Sequence, residues 1–226
     1  MDGNGLYTVD FHTHLDRSRG FCTSGNIIRI ISQEQDDREP LPENCFGTLE
    51  LHPWHGHELS EGFELAAASS RYIGIGEVGM DRVRGKLSLS RQQEIFTQAI
   101  DLAEKLHKPL TVHCVKCFSE LLAMKKARPW QVPTIIHYFR GNLELAKQLW
   151  QHDNFILSLP PESLQNRHLL DFLQQHPAYL QHIVLETDDP AGDIEHHYSR
   201  MAMSLAMNPD KLHKIMFDQF LRIYHP

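Results

Sequence analysis

Five short clusters of imidazole and carboxylate residues stand out in this sequence: Asp10-Phe11-His12-Thr13-His14, Gly76-Glu77-Val78-Gly79, His113 after Leu110-Thr111-Val112, His137 after Ile135-Ile136, and Leu185-Glu186-Thr187-Asp188. Each ligand-type residue follows a short apolar, β-branched run. Imidazole with carboxylate is the donor set of zinc, manganese and iron hydrolytic sites, and strand tips of a barrel bring such residues to one point from distant places in the chain. The pattern predicts a metal-dependent hydrolase.

His12 and His14 are two residues apart, which on a strand sends both side chains to one face, with Asp10 a further step back on it. They can chelate one ion together. Glu77 lies among glycines that allow close backbone approach, and its two oxygens can bridge two ions. His113 and His137 end successive strands and are placed for a second ion. Asp188 can bind metal while accepting a proton from an attacking water. No G-x-S-x-G elbow, P-loop or dinucleotide fingerprint occurs, so acyl-serine, nucleoside-triphosphate and hydride chemistries lack sequence support.

The elements that must carry these residues alternate along the chain. β-like runs are expected at residues 6–11, 26–31, 45–51, 72–76, 110–113, 134–137, 154–159 and 182–186. Helical patterns are expected at 61–69, 88–106, 118–127, 143–152, 163–174, 197–206 and 211–224. In the second of these, Ile95, Phe96, Ala99, Leu102, Ala103 and Leu106 fall at helical spacing. Alternating strands and helices mean parallel βαβ units, and eight of them predict a compact TIM-type (β/α)8 barrel, α/β in class, as a single domain over 1–226. The first two units are the least regular, which leaves room for an open or distorted barrel.

Of 226 residues, 41% are hydrophobic and 23% charged, the composition of a globular chain. Nothing reaches the length of a membrane span and no basic-then-apolar leader opens the sequence, which predicts a cytoplasmic protein. Cys22, Cys45, Cys114 and Cys117 are too few for a disulfide scaffold. The C-x-x-C at Cys114 and Cys117 lacks a second half at finger spacing and reads as small core residues. His55, His57, His196, His197 and His225 lie in polar surroundings and read as surface residues. A net charge of −7 argues against bulk electrostatic coating of nucleic acid, yet bound cations would make a carboxylate-rich site locally positive.

In order, Asp10-Phe11-His12-Thr13-His14-Leu15-Asp16, His52-Pro53-Trp54, Gly76-Glu77-Val78-Gly79-Met80-Asp81, Pro109-Leu110-Thr111-Val112-His113-Cys114, His137-Tyr138-Phe139-Arg140-Gly141 and Glu186-Thr187-Asp188-Asp189-Pro190 resemble the signature blocks of the TatD family of metal-dependent hydrolases. The resemblance implies a TIM-type barrel, two divalent metal ions (zinc, magnesium or manganese) and deoxyribonuclease activity at DNA ends, often as a 3′ to 5′ exonuclease on single strands. It further implies that His12, His14, Glu77 and Asp188 hold one ion and Glu77, His113 and His137 the other. Glu77 would bridge, Asp188 would accept the proton, and His52 would contact the substrate phosphate. The chain departs from the family pattern at Trp54, where a histidine is common, at Val115 beside Lys116, where an arginine is common, and at Gln219, where an asparagine is usual.

These departures touch substrate contacts and spare the ligands. Around the expected mouth, Arg17, Arg19, Lys116 and Arg140 can neutralise phosphates, and Trp54, Tyr138 and Phe139 offer stacking faces for unpaired bases. The expected partner is single-stranded DNA, handled by a monomer without a membrane. A rival reading keeps the same ions and changes the scissile bond to an aminoacyl-tRNA ester, a phosphate monoester or a cyclic amide. A non-enzymatic barrel is disfavoured by the complete ligand set, because buried carboxylates and histidines are costly to keep without use.

Overall fold

A computed structural model describes residues 6–15, 25–37, 40–189 and 191–225. Eight parallel strands form one sheet in chain order: β1 (Thr8–Thr13), β2 (Ile27–Gln33), β3 (Cys45–Leu51), β4 (Tyr72–Asp81), β5 (Leu110–Val115), β6 (Thr134–Ile136), β7 (Phe155–Leu159) and β8 (Ile183–Leu185). The sheet curls until its edges meet. Thr13 and Asp188 form a parallel bridge, and the Asp188 N–H donates to the His12 carbonyl at 3.0 Å. The result is the expected TIM-type barrel, whose strands are almost wholly buried because helices cover the outside.

The helices are α1 (Glu61–Ala68), α2 (Leu89–Leu106), α3 (Phe118–Ala127), α4 (Leu143–Leu149), α5 (Arg167–Gln175), α6 (Ile194–Ser204) and α7 (Pro209–Tyr224). Ser60, Ser88, Asn142, Asn166, Asp193 and Asn208 each precede a helix and accept a hydrogen bond from an N–H of its first turn. In α2 the expected Ile95, Phe96, Ala99, Leu102 and Ala103 are buried. Among the described residues no helix lies between β1 and β2 or between β2 and β3.

The largest departures from the sequence expectation fall in three helices. The pattern at 143–152 stops at Leu149, where Trp150 caps the helix and its indole N–H donates to the His182 carbonyl. The stretch at 163–174 divides into a 3-10 turn (Pro161–Gln165) and α5, because Asn166 caps a new start. The expected helix at 197–206 begins earlier, at Ile194 behind its Asp193 cap, and buries His197, whose Nε2 meets the Leu159 carbonyl at 2.9 Å. The surface reading of His197 is thereby corrected. Cys114 and Cys117 are buried free thiols, consistent with their reading as core residues. No helix of the described residues is long and apolar enough to cross a membrane.

Candidate metal centre

The C-terminal tips of six strands converge on Glu77. Strand alternation turns Asp10 and His12 of β1 to one side, and His14 continues that side just past the strand. Glu77 and Asp81 lie on β4, His113 on β5, while His52, His137 and Asp188 sit within three residues beyond β3, β6 and β8. Glycine is required beside Glu77: Gly76 and Gly79 have φ of 146° and 142°, and a side chain at either would collide with the carbonyl of Thr111 or His113 on β5.

The two carboxylate oxygens of Glu77 face different sets of imidazoles. Oε2 is 3.3 Å from His12 Nε2 and 3.7 Å from His14 Nε2. Oε1 is 2.7 Å from His113 Nδ1, 3.1 Å from His52 Nε2 and 3.5 Å from His137 Nε2. Asp188 Oδ1 stands 3.5 Å from His12, 3.4 Å from His14 and 3.8 Å from His137. His12, His14, Glu77, His113, His137 and Asp188 are thus brought together. Both ring nitrogens of His12 are buried with no hydrogen-bond partner among the described residues, an arrangement that costs free energy unless something else satisfies them.

A second ring of hydrogen bonds sets which imidazole nitrogen faces the centre. Glu186, fully buried, holds His137 Nδ1 at 3.1 Å and accepts from the Tyr138 N–H at 2.7 Å, leaving Nε2 aimed at Glu77 and Asp188. Asp81 likewise holds His113 Nε2 at 3.0 Å and leaves Nδ1 inward. His52 differs. Its Nδ1 accepts the main-chain N–H of Trp54 at 3.1 Å, so its proton sits on Nε2 and is donated to Glu77 Oε1. Three atoms of His52, Glu77 and His113 lie close enough to surround a cation, yet this tautomer makes His52 a clamp on Glu77 instead of a lone-pair donor.

The charges reinforce one another. Burial opposes ionisation of Glu77, but the His137, His113, His12 and His52 imidazoles outweigh it and hold the carboxyl well below its usual range. Burial likewise disfavours the charged form of His12 and is outweighed by the Asp188 and Glu77 carboxylates, which lift it well above its usual range. Asp188 is held far down against its own burial by His12 and His14.

Above the centre opens a cavity of about 850 Å³ lined by, among others, His14, His52, Trp54, Lys116, Tyr138 and Arg140. Lys116 and Arg140 are exposed, and the Arg140 guanidinium lies 5.2 Å from the Tyr138 ring. Trp54 is already engaged: its indole N–H donates to Asp81 Oδ2 at 2.6 Å, and the Arg84 guanidinium stacks 3.4 Å from its ring centre. Phe139 is 1% exposed, which corrects its reading as a stacking face. Arg17 and Arg19 lie outside the described residues.

Asp81 and Glu186, quoted in the sequence motifs without a role, carry the outer hydrogen bonds. Their signal was strand periodicity: 77, 79 and 81, and again 186 and 188, fall at steps of two. Asp10 is also placed anew. It does not reach the centre and instead accepts from the Thr187 N–H at 2.9 Å and the Thr187 hydroxyl at 2.6 Å.

A family model described as TatD related DNase matches residues 19–225. Among curated relatives, a 3′-5′ ssDNA/RNA exonuclease TatD of Edwardsiella piscicida is 25% identical over 150 residues, covering 61% of this chain and 57% of its own length. Its namesake in a Rahnella species is 28% identical over 192 residues, covering 78% and 71%. An uncharacterized metal-dependent hydrolase of Methanocaldococcus jannaschii is 31% identical over 120 residues, covering 52% and 44%. The chain thus spans little more than half the length of several relatives it matches. In fold it is similar to the TatD homologue YJJV of Escherichia coli K12, with a TM-score of 0.78 at 17% identity and 98% of each chain covered. A TatD-family hydrolase of Entamoeba histolytica gives 0.74 at 16% identity, covering 97% and 98%.

Proposed function

This chain belongs to the TatD-related DNase family, and from that premise we propose that it is a divalent-metal-dependent nuclease that hydrolyses phosphodiester bonds at the ends of single-stranded DNA, 3′ to 5′. The observation that carries this reading is the division of Glu77: one oxygen turned to His12 and His14, the other to His113 and His137. A carboxylate so divided suits two cations of zinc, magnesium or manganese type, one held by His12, His14, Glu77 and Asp188 and the other by Glu77, His113 and His137. The residues fit such ions, since His12 is buried with both nitrogens unsatisfied and hard oxygen and imidazole donors surround the gap. Bound there, the cations would supply Lewis acidity toward a phosphoryl oxygen and a local positive charge.

The chain's own residues do the rest. Asp188, 35% exposed and held ionised by its histidines, accepts the proton of the attacking water at a carboxylate oxygen. Glu186 and Asp81 fix the inward tautomers of His137 and His113, and His52 holds Glu77 through its Nε2 proton. Here His52 acts on Glu77 and also lines the cavity, where the phosphate contact that the family resemblance implies would be made. Lys116 and Arg140 receive phosphates of the strand, and Tyr138 lies beside them as a surface for a base. Trp54 borders the same cavity with one face covered by Arg84.

Turnover of the metal-loaded chain on 3′- and 5′-labelled single-stranded DNA, RNA and aminoacyl-tRNA tests the reading. Mononucleotide release from the 3′ end of DNA is expected. Cleavage of the aminoacyl ester with intact DNA would reject it, and faster release from RNA would move the substrate class.

A further inference from the structure

Two carboxylates and an imidazole meet a short distance from the Glu77 cluster, on parts of the chain that the proposed reaction does not use. Glu34 follows β2, Glu50 lies near the end of β3, and His55 is in the turn after β3. One ligand atom from each lies within 4.8 Å of the others, on the wall shared by the main cavity and a smaller one of about 270 Å³. We propose that Glu34, Glu50 and His55 form a third divalent-cation site, distinct from the residues gathered on Glu77.

The spacing favours a shared cation over direct pairing. His55 Nδ1 is 3.6 Å from Glu50 Oε1 and 3.8 Å from Glu34 Oε1, both beyond hydrogen-bond length. Metal–ligand bonds of about 2.0–2.2 Å at near-tetrahedral angles put two ligand atoms about 3.3–3.6 Å apart, which the His55–Glu50 distance meets and the His55–Glu34 distance exceeds by about 0.2 Å. Where an imidazole and a carboxylate of this protein do pair directly, as His113 Nε2 and Asp81 do, the distance is 3.0 Å.

Glu50 is the independent pointer to a ligand. It is 8% exposed, and its Oε2 accepts one neutral donor, the Ser32 hydroxyl, at 2.7 Å. The Ser32 oxygen accepts the Glu77 N–H at 3.2 Å, and its hydroxyl lies closer to Glu50 Oε2 than to its other acceptor, the Gly76 carbonyl at 3.4 Å. Oε1 is left turned to His55. A buried carboxylate with one hydroxyl partner is poorly compensated, and a cation on Oε1 would balance it. The mixed oxygen and imidazole set suits zinc or manganese, and the 57% exposure of Glu34 makes this the weakest of three sites.

The consequence for substrate rests on the nuclease reading, although binding does not. Lys116 and Arg140 follow β5 and β6, whereas Glu34 and Glu50 stand on the far side of β4. Without a cation that wall repels a phosphodiester strand. With one, it attracts a phosphate next to the scissile one.

Metal-stripped protein is titrated with manganese, bound equivalents are counted by elemental analysis, and crystals are read by manganese anomalous scattering. Three peaks are expected, with Glu34→Gln weakening the last equivalent at least 10-fold and His55→Ala erasing the peak beside Glu50. The variant His12→Ala/His14→Ala should keep that peak. Because Glu34 is exposed, its substitution leaves the fold undisturbed and keeps the comparison interpretable. No peak beside Glu50 at saturating manganese, or identical titrations for the parent and Glu34→Gln, overturns the third site whatever happens at Glu77. A peak beside Glu50 with none at Glu77 would uphold it while rejecting the two-ion nuclease reading.

Discussion

The main-chain N–H of Asp188 donates to the carbonyl of His12 at 3.0 Å, so the first and last strands are joined at the step where each delivers a side chain to Glu77. The bridge between Thr13 and Asp188 and the grip of Asp10 on Thr187 extend the same seam. The contacts that close the barrel therefore also set His12 and Asp188 side by side. Asp188 adopts φ of 61°, in the left-handed region that aspartate and asparagine tolerate best among residues with a side chain.

That backbone tolerance makes Asp188→Asn a clean test of chemistry. The seam hydrogen bond is main-chain and survives, while the proton acceptor is lost. Single-turnover hydrolysis of 3′-labelled single-stranded DNA should slow by at least about 100-fold, the lower end for general-base catalysis. A near-parental rate in metal-loaded protein would remove Asp188 from that role.

Glu186→Gln probes the outer ring. An amide offers one oxygen where the carboxylate meets His137 Nδ1 at Oε2, 3.2 Å, and the Tyr138 N–H at Oε1, 2.7 Å. Loss of such a partner costs roughly 10–100-fold in metal affinity or activity. Manganese titration should register it, whereas Glu77→Ala should lower metal content outright. Equal affinity in Glu186→Gln and parent would show that His137 needs no orienting carboxylate.

Lys116 is exposed and borders the cavity, so its contribution should be electrostatic. Lys116→Gln is expected to flatten the dependence of log Kd on log salt by about 0.7 for single-stranded DNA, the release of one phosphate counterion. Fluorescence anisotropy across a salt series measures this slope. An unchanged slope in Lys116→Gln and in Arg140→Gln would discard this rim as a phosphate track.

Asp10 gives a pH prediction. Burial, against the two hydrogen bonds from Thr187, pushes its carboxyl from 3.8 up to about 7. A folded value above the unfolded one favours the protonated folded form, so this stability is complete below about 3.8, is lost as pH rises toward 7, and is absent above. The gap corresponds to about 4 kcal/mol at most. The Asp10→Asn variant would keep an acceptor for the Thr187 N–H without titrating. In metal-free protein, the stability advantage of the variant should grow between pH 4 and 7, as followed by urea unfolding. A pH-independent difference would refute the shift.

Much of the architecture was legible because it follows from local periodicity. All eight strands and seven helices were placed from alternation and helical spacing, and Cys45–Leu51 and Phe118–Ala127 match to the residue. Helix ends were legible only in part, since the stop at Leu149 depends on Trp150 reaching His182 from a distant segment. Tyr138 and Phe139 show a sharper limit. Tyr138 takes φ of 48°, which breaks strand parity just after β6, so it faces the cavity and Phe139 enters the core.

The sequence by itself determined which residues could bind a cation, because donor chemistry and strand-end position are local properties. Tertiary structure alone decided that Glu77 divides its oxygens between two groups of histidines, that His52 points a proton rather than a lone pair, and that Glu34, Glu50 and His55 meet. Those relations are set by barrel curvature and by hydrogen bonds between strands far apart in the chain. No spacing along one strand encodes the distance between the tips of two.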